Sequence, residues 1–355
     1  MIIPITTPTI SVIMPVYNCK EYLEAAISSV LSQNVDRLEI IAIDDCSTDG
    51  SRELLRELAD KDRRIKAYFN EKNSGVAAVR NLALKLADGE YLAFCDSDDT
   101  VPEGAYSGML RDIGECDVLI SGFSDVNDSG VCRTTLVNKR DRGSCFRSLF
   151  HVSCLWNKLI RRKSVEGLTF DEDMKIGEDV VFLSRYATRN PSFTVSDRLV
   201  YNHCHHENAA TPSLTHIYSY SAFCEHIKCR ERMLDICTEG GISECRDYVF
   251  NYFIEYIDRF LIFISDPEDR RLAFLLYRDF MKRYDWSAHR DEFTAMSGVE
   301  YDAFLTADAD AYVQLKYDAL PRDRVLNEYR AGKIGLRWIV KYFRAWLAYK
   351  LGKRK

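Results

Sequence analysis

Three short segments concentrate the side chains whose types and spacing could do chemistry: Pro15-Val16-Tyr17-Asn18, Asp44-Asp45-Cys46-Ser47 and Asp96-Ser97-Asp98-Asp99. Each follows an apolar run, so each falls where a strand gives way to a loop. Five carboxylates gathered in one place repel one another unless positive charge sits among them. Asp96, Asp98 and Asp99 therefore read as ligands for a hard divalent cation such as Mg or Mn. Such ions use one or two carboxylates and fill the remaining positions with water and phosphate oxygens, which suits a diphosphate. An Asp-x-Asp at a strand end is equally a turn or a helix cap when it stands alone. Its position after a buried strand, together with the Asp44-Asp45 pair, favours the site.

The elements that must carry these segments are legible in the first third of the chain. Apolar runs at Ile10 to Val16, Leu38 to Ile43, Ile65 to Phe69 and Tyr91 to Phe94 alternate with helical patterns near Glu21 to Ser32, Ser51 to Lys61 and Val76 to Ala87. That alternation predicts a parallel sheet with helical crossovers, and ligands in such sheets bind outside the carboxyl ends of the strands. The first strand-to-helix loop has no glycine, which excludes a dinucleotide fingerprint and a Gly-x-x-x-x-Gly-Lys phosphate cradle. From about Arg142 the alternation fades. From Thr215 onward the pattern is mostly helical, and the aromatics Tyr248, Phe250, Tyr252, Phe253, Tyr256 and Phe260 read as core. The expected organisation is a nucleotide-binding and catalytic domain over 1–214, a helical domain over 215–328 and a basic amphipathic helix over 329–355.

Composition narrows the setting. The chain has 355 residues and 12 scattered cysteines, a pattern that suits reduced thiols and a cytoplasmic location. No basic residue precedes the first apolar run and no run reaches membrane-span length, so neither a signal peptide nor a spanning helix is expected. The net charge of −6 conceals a tail, Tyr329 to Lys355, with nine Lys and Arg and no acid. On a helix, Lys333, Arg337, Lys341 and Arg344 form one stripe, while Ile334, Trp338, Ile339, Tyr342, Phe343, Trp346 and Leu347 cover most of the rest. Such a helix either packs on the protein or lies in an anionic membrane surface; the flanking Trp and basic residues favour the membrane, hence a peripheral position on its inner face. No nucleic-acid partner is expected.

Four motifs in order resemble the inverting family 2 glycosyltransferases of the GT-A fold: Ser11 to Asn18, Asp44 to Ser51, Asn73-Ser74-Gly75 with Arg80-Asn81, and Asp96 to Asp99. Trp156-Asn157-Lys158-Leu159 and Gly177-Glu178-Asp179-Val180-Val181-Phe182 extend the likeness to about residue 205. The resemblance implies a mostly parallel, Rossmann-like sheet flanked by helices and followed by a mainly α-helical region. It implies a nucleotide-sugar donor, with UDP the first choice, and a glycan or lipid-linked glycan acceptor, as in polysaccharide biosynthesis at the cell envelope.

Donor contacts would come from Pro15, Tyr17, Asn18, Asp45, Arg80, Asp96, Ser97 and Lys158. Tyr17 would flank a uracil-type base, and Asp45 would accept from its ring N–H. Arg80 is either a positive group near the donor or a helix-surface arginine, and Lys158 either touches the diphosphate or snorkels at the surface. Asp98 would be the principal metal ligand, with Asp96 beside it and a histidine, His203 or His205, completing the shell. His203-Cys204-His205-His206 itself lacks the paired spacing of a structural zinc site. Asp179 would be the general base that removes the acceptor proton, with Glu178 as its neighbouring candidate. A nucleotide-sugar-binding partner subunit without turnover and a sugar nucleotidyltransferase are the alternatives. The acids argue against the first, and the missing glycine-rich basic loop against the second.

Overall fold

Predominantly apolar runs make strands that are covered on both faces, and the first, second and fourth strands have that character. The first four strands are β1 (Ile10–Val16), β2 (Leu38–Asp44), β3 (Ile65–Phe69) and β4 (Tyr91–Phe94), and every residue of β2 is buried. All four are parallel and stand in the order β3-β2-β1-β4. The crossovers are α1 (Lys20–Leu31), α2 (Ser51–Lys61) and α3 (Val76–Leu86). Helix α2 turns Ser51, Leu55 and Leu58 inward, the four-then-three spacing of a single buried stripe. The computed structural model describes residues 9–127, 130–137, 143–206, 217–285 and 304–313.

After α4 (Ala105–Ile113) the sheet continues with β5 (Val118–Asn127), β6 (Gly130–Thr135), β7 (Lys158–Arg161) and β8 (Phe193–Cys204). Helices α5 (Cys145–Phe150) and α6 (Glu178–Thr188) lie between these strands in sequence. The eight strands form one sheet ordered β3-β2-β1-β4-β7-β5-β6, with β8 on β5. Strand β7 is antiparallel to both β4 and β5, so β5 and its parallel partner β8 regain the direction of β1 to β4. The strand order reverses between β1 and β4, and the carboxyl ends of β1, β2, β4, β5 and β8 share one edge of the sheet. The turn into β4 passes close to β1. A Cβ at Gly89 would lie 2.5 Å from the Ser11 nitrogen, so only glycine fits there.

The chain divides into two compact units, Met1–Ala209 and Ala210–Lys355. The second contains α7 (Tyr220–Glu239), α8 (Glu244–Tyr248), a π-helical turn (Val249–Phe253), α9 (Ile254–Phe263) and α10 (Pro267–Arg283). Phe250, Phe253 and Phe260 are buried, joined by Phe223, Phe274, Tyr277 and Phe280. Tyr248 is half-buried, and Tyr256 is 39% exposed with its hydroxyl 3.3 Å from His226 Nε2. The aromatic stripe is thus core for its phenylalanines and rim for those two tyrosines. All twelve cysteines are free thiols. Among the described residues no helix is long and apolar enough to cross a membrane. The basic tail, 329–355, lies outside the described residues.

Candidate active site

The acidic loop after β4 divides its carboxylates between inside and outside. Asp98 is exposed, Asp96 is half-buried, and Asp99 is 3% exposed. Asp99 accepts from the Tyr201 hydroxyl at 2.8 Å and from the Cys204 N–H at 2.6 Å, and Tyr201 in turn accepts from the Asp96 N–H at 3.0 Å. Burial, then the charges of Asp96 and Asp98, push the Asp99 carboxyl up to about 8. Asp99 is therefore a strut that ties the loop to β8 and not the metal ligand its spacing suggested. Dense packing around its base and the charge of Asp96 also hold Asp98 above the ordinary carboxylate range. Crowded carboxylates with raised proton affinity are what a bound divalent cation relieves, and the hard oxygens of Asp96 and Asp98 suit Mg or Mn. Ser97 points inward, hydrogen-bonded to the Cys19 thiol.

Arg80 explains how this loop is joined to α6. It lies on α3, 7% exposed, with Nη2 3.2 Å from Asp96 Oδ1 and Nη1 2.5 Å from Glu178 Oε1. One planar guanidinium thus grips the acidic loop with one prong and the first turn of α6 with the other. It is neither a surface arginine nor a charge left over for the donor. Glu178, 8% exposed and ion-paired, is spent on this contact. Asp179 is half-buried and accepts from the Val180 N–H at 2.8 Å, a helix-start position that the dipole favours. Asn81, next to Arg80, accepts from the Phe170 N–H at 2.7 Å and donates to the Phe170 carbonyl at 2.9 Å, fixing the segment that leads to α6.

The loops after β1 and β2 are laced together. The Asn18 N–H donates to Ser47 Oγ at 3.0 Å, and Asn18 Oδ1 accepts from the Thr48 N–H at 2.8 Å. The open end of α1 is capped from across this seam: the Cys19 and Lys20 N–H groups donate to Ser51 Oγ and Asp49 Oδ2, both at 2.9 Å. Asn18 and Cys46 take left-handed backbone conformations, φ 48° and 65°. Tyr17 stands clear of the seam, 52% exposed, just beyond β1, and Pro15 is half-buried within the strand.

Asp45 is 4% exposed and accepts from Asn70 Nδ2, the Ser74 hydroxyl and the Ser74 and Gly75 N–H groups at 2.8 to 3.0 Å. Burial raises its proton affinity, but these donors outweigh burial and leave the carboxyl below its usual range. Both oxygens close the loop from Asn70 to Gly75, which needs glycine for its φ of 85°. Direct acceptance from a base N–H gives way to this clamp. Asp44 is likewise internal, paired with Arg52 at 3.1 Å.

Two further expectations need correction. Lys158 neither faces a diphosphate nor snorkels: it is fully buried, and its ammonium donates to the carbonyls of Val152 and Cys154 and to Asn157 Oδ1 at 2.5 to 2.8 Å. Burial pushes it down to about 7. His205 turns to Asp125, its Nε2 3.0 Å from Oδ1, and the histidine against the acidic loop is His206, whose Nε2 lies 2.7 Å from the Asp98 carbonyl oxygen. His206 also stacks on Tyr22 at 3.6 Å. In the sequence, His206 stands out only as part of the His203–His206 cluster, and Tyr201 is not singled out. The signal for Tyr201 is alternation along β8, visible only once that strand's ends are known.

Residues 11–169 match the family described as glycosyl transferase family 2. An uncharacterised glycosyltransferase of Haemophilus influenzae is 34% identical over 172 residues, 46% of this chain and 66% of that one. TuaG of Bacillus subtilis, provisionally assigned as a teichuronic acid biosynthesis glycosyltransferase, is 41% identical over 125 residues, 35% of this chain and 50% of its own length. The chain therefore spans half to two thirds of these two relatives. Among solved structures, residues 1–349 of S. aureus TarS, crystallised with UDP and with UDP-GlcNAc, superpose with a TM-score of 0.60 at 19% identity over 97% of this chain and 92% of that one. That likeness establishes the mixed, helix-flanked GT-A sheet.

Proposed function

We infer that this chain, whose residues 11–169 are a family 2 glycosyltransferase domain, moves a sugar from a nucleoside-diphosphate donor to a hydroxyl of a glycan or glycolipid acceptor. The observation that carries the reading is the Arg80 fork, which joins the Asp96–Asp98 loop to the helix turn bearing Asp179. A site for a diphosphate and a site for a base are thereby held at one edge of the sheet. UDP is the favoured nucleotide, since a GT-A structure of similar fold binds UDP and UDP-GlcNAc.

Asp98 and Asp96 would hold a Mg or Mn ion, which when bound supplies Lewis-acid charge to the departing diphosphate. Tyr17 offers an exposed ring for the base at the mouth of the laced loops. Asp179 takes the proton from the attacking acceptor hydroxyl, and Glu178 cannot replace it while paired with Arg80. A single displacement with one base inverts the anomeric centre, so an α-linked donor gives a β-linked product. The provisional assignment of TuaG to teichuronic acid biosynthesis supports polysaccharide or teichuronic-type acceptors. The proposed setting is the cytoplasmic face of the membrane, reached through residues 329–355.

The test is transfer from a panel of UDP-sugars in the presence of Mn, with the product's anomeric configuration read by NMR. Release of UDP and an inverted product support the reading. Retention of configuration refutes the mechanism, donor binding without turnover favours an inactive binding subunit, and formation of a nucleotide sugar from a sugar phosphate favours a nucleotidyltransferase.

A further inference from the structure

We infer that Asp125, His203 and His205 form a second divalent-cation site, suited to a zinc-type ion and built on a donor set different from that of the acidic loop at Asp96–Asp98. Strands β5 and β8 are parallel, with Asp125 in register with His203. The His205 N–H donates to the Val126 carbonyl at 2.7 Å, so the ladder persists one residue beyond the end of β8. Residues two apart on a strand share a face, and the register partner on the neighbouring strand shares it too. Both rings consequently converge on one carboxylate: Asp125 Oδ1 is 3.0 Å from His203 Nδ1 and 3.0 Å from His205 Nε2.

The three ligand atoms lie within 4.8 Å of one another. Bonds of ~2.0 Å in a tetrahedral arrangement separate ligand atoms by about 3.3 Å, so the two 3.0 Å carboxylate–imidazole separations open by a few tenths of an ångström and the two rings turn toward each other to about the same spacing. Two imidazoles and one carboxylate are a borderline donor set of the kind that holds zinc with a fourth position open, whereas the all-oxygen loop at Asp96 and Asp98 selects hard ions. Both histidine side chains are about two fifths exposed, which leaves room for water or an oxygen ligand at that position.

The first ligand is held before any ion arrives. The His203 ring stacks on Trp156 at 5.8 Å; Trp156 stacks on Tyr201 at 4.4 Å and meets Phe123 edge-on at 4.7 Å. Arg133 Nε lies 4.0 Å from the other Asp125 oxygen and supplies an outer partner for the carboxylate. Local spacing hid the site because its carboxylate comes from β5, 78 residues before His203 in the chain.

The experiment uses the full chain, without a polyhistidine tag, stripped by chelator and titrated with Co(II) while its visible d–d absorption is followed. Zn(II) is then added in competition. One equivalent of Co(II) should give the intense absorption of a low-coordinate site, Zn(II) should abolish it, and Mg should not. His205→Ala and Asp125→Asn should weaken Co(II) and Zn(II) binding by at least about tenfold, since loss of even an outer-shell partner costs that much. Asp98→Asn should leave the absorption intact. Exposure of the His205 ring makes its removal tolerable, and an unchanged far-UV circular dichroism spectrum checks this. No absorption in the wild type, its survival in both His205→Ala and Asp125→Asn, or its loss in Asp98→Asn would overturn the proposal.

Discussion

The two acids that begin α6 allow the proposed base to be tested by contrast. In Asp179→Asn the acceptor oxygen that takes the Val180 N–H at 2.8 Å survives, so helix α6 keeps its start and stability should change by less than about 0.5 kcal/mol. What disappears is basicity. Losing a general base costs about 10²- to 10⁴-fold in rate, or about 2.7 to 5.5 kcal/mol of barrier at 1.36 per tenfold. Glu178→Gln does the opposite. It removes one partner of a pair whose side chains are 9% and 10% exposed, a change that costs about 3–5 kcal/mol when a buried charge is left alone. Asp96 still answers Arg80, so the lower end applies, roughly a 6–12 °C fall in Tm for a unit of this size. The assay pairs initial transfer rates at saturating donor with calorimetric Tm for both variants. Wild-type turnover in Asp179→Asn, or equal losses of rate and Tm in both variants, would refute the division of labour.

Asp98→Asn should abolish both metal-dependent turnover and metal-dependent donor binding, measured by calorimetric titration; full wild-type activity in excess chelator would contradict it. The raised Asp99 carboxyl makes a pH prediction. Its folded value, about 8, exceeds the ordinary 3.8, so the native state holds the extra proton between them and metal-free stability should fall as pH rises from about 4 to 8. Asp99→Asn should flatten that slope in chelator-treated protein, and an unchanged slope would show that Asp99 does not titrate in this window. Deleting residues 329–355 should release the chain from anionic vesicles while leaving transfer to a soluble acceptor largely intact, as checked by vesicle flotation; equal flotation with and without the tail would refute the membrane role.

The sequence revealed the half of the sheet that is covered on both sides. Strands β1 to β4 are predominantly apolar runs, and their expected ends agree with the observed ones to within a residue. The other half was hidden for physical reasons. Strand β6 is exposed almost throughout, and β8 mixes Ser, Asp, Arg and Asn among its apolar residues, so neither shows a hydrophobic period. Lys158 was misjudged because residue type places lysine at the surface; only the convergence of three oxygens makes its burial tolerable. The histidines failed for a different reason. His205 and His206 are neighbours in sequence, and strand geometry sends them to opposite addresses, so an error of one position exchanges them. Asp179 and Glu178 stand in the sequence as equivalent neighbouring acids, and only the position of Arg80 separates the half-buried acid from the one already engaged.

The burial of the Arg80 fork also bears on ionic strength. Mobile ions weaken interactions between charges they can surround, and at physiological salt they do so over about 8 Å, but a guanidinium that is 7% exposed offers them little approach. The Arg80–Glu178 contact, which fixes α6 to α3, is therefore one that salt barely reaches. Added electrolyte would act first on the encounter between a charged donor and the open edge of the sheet, and only weakly on the framework that receives it.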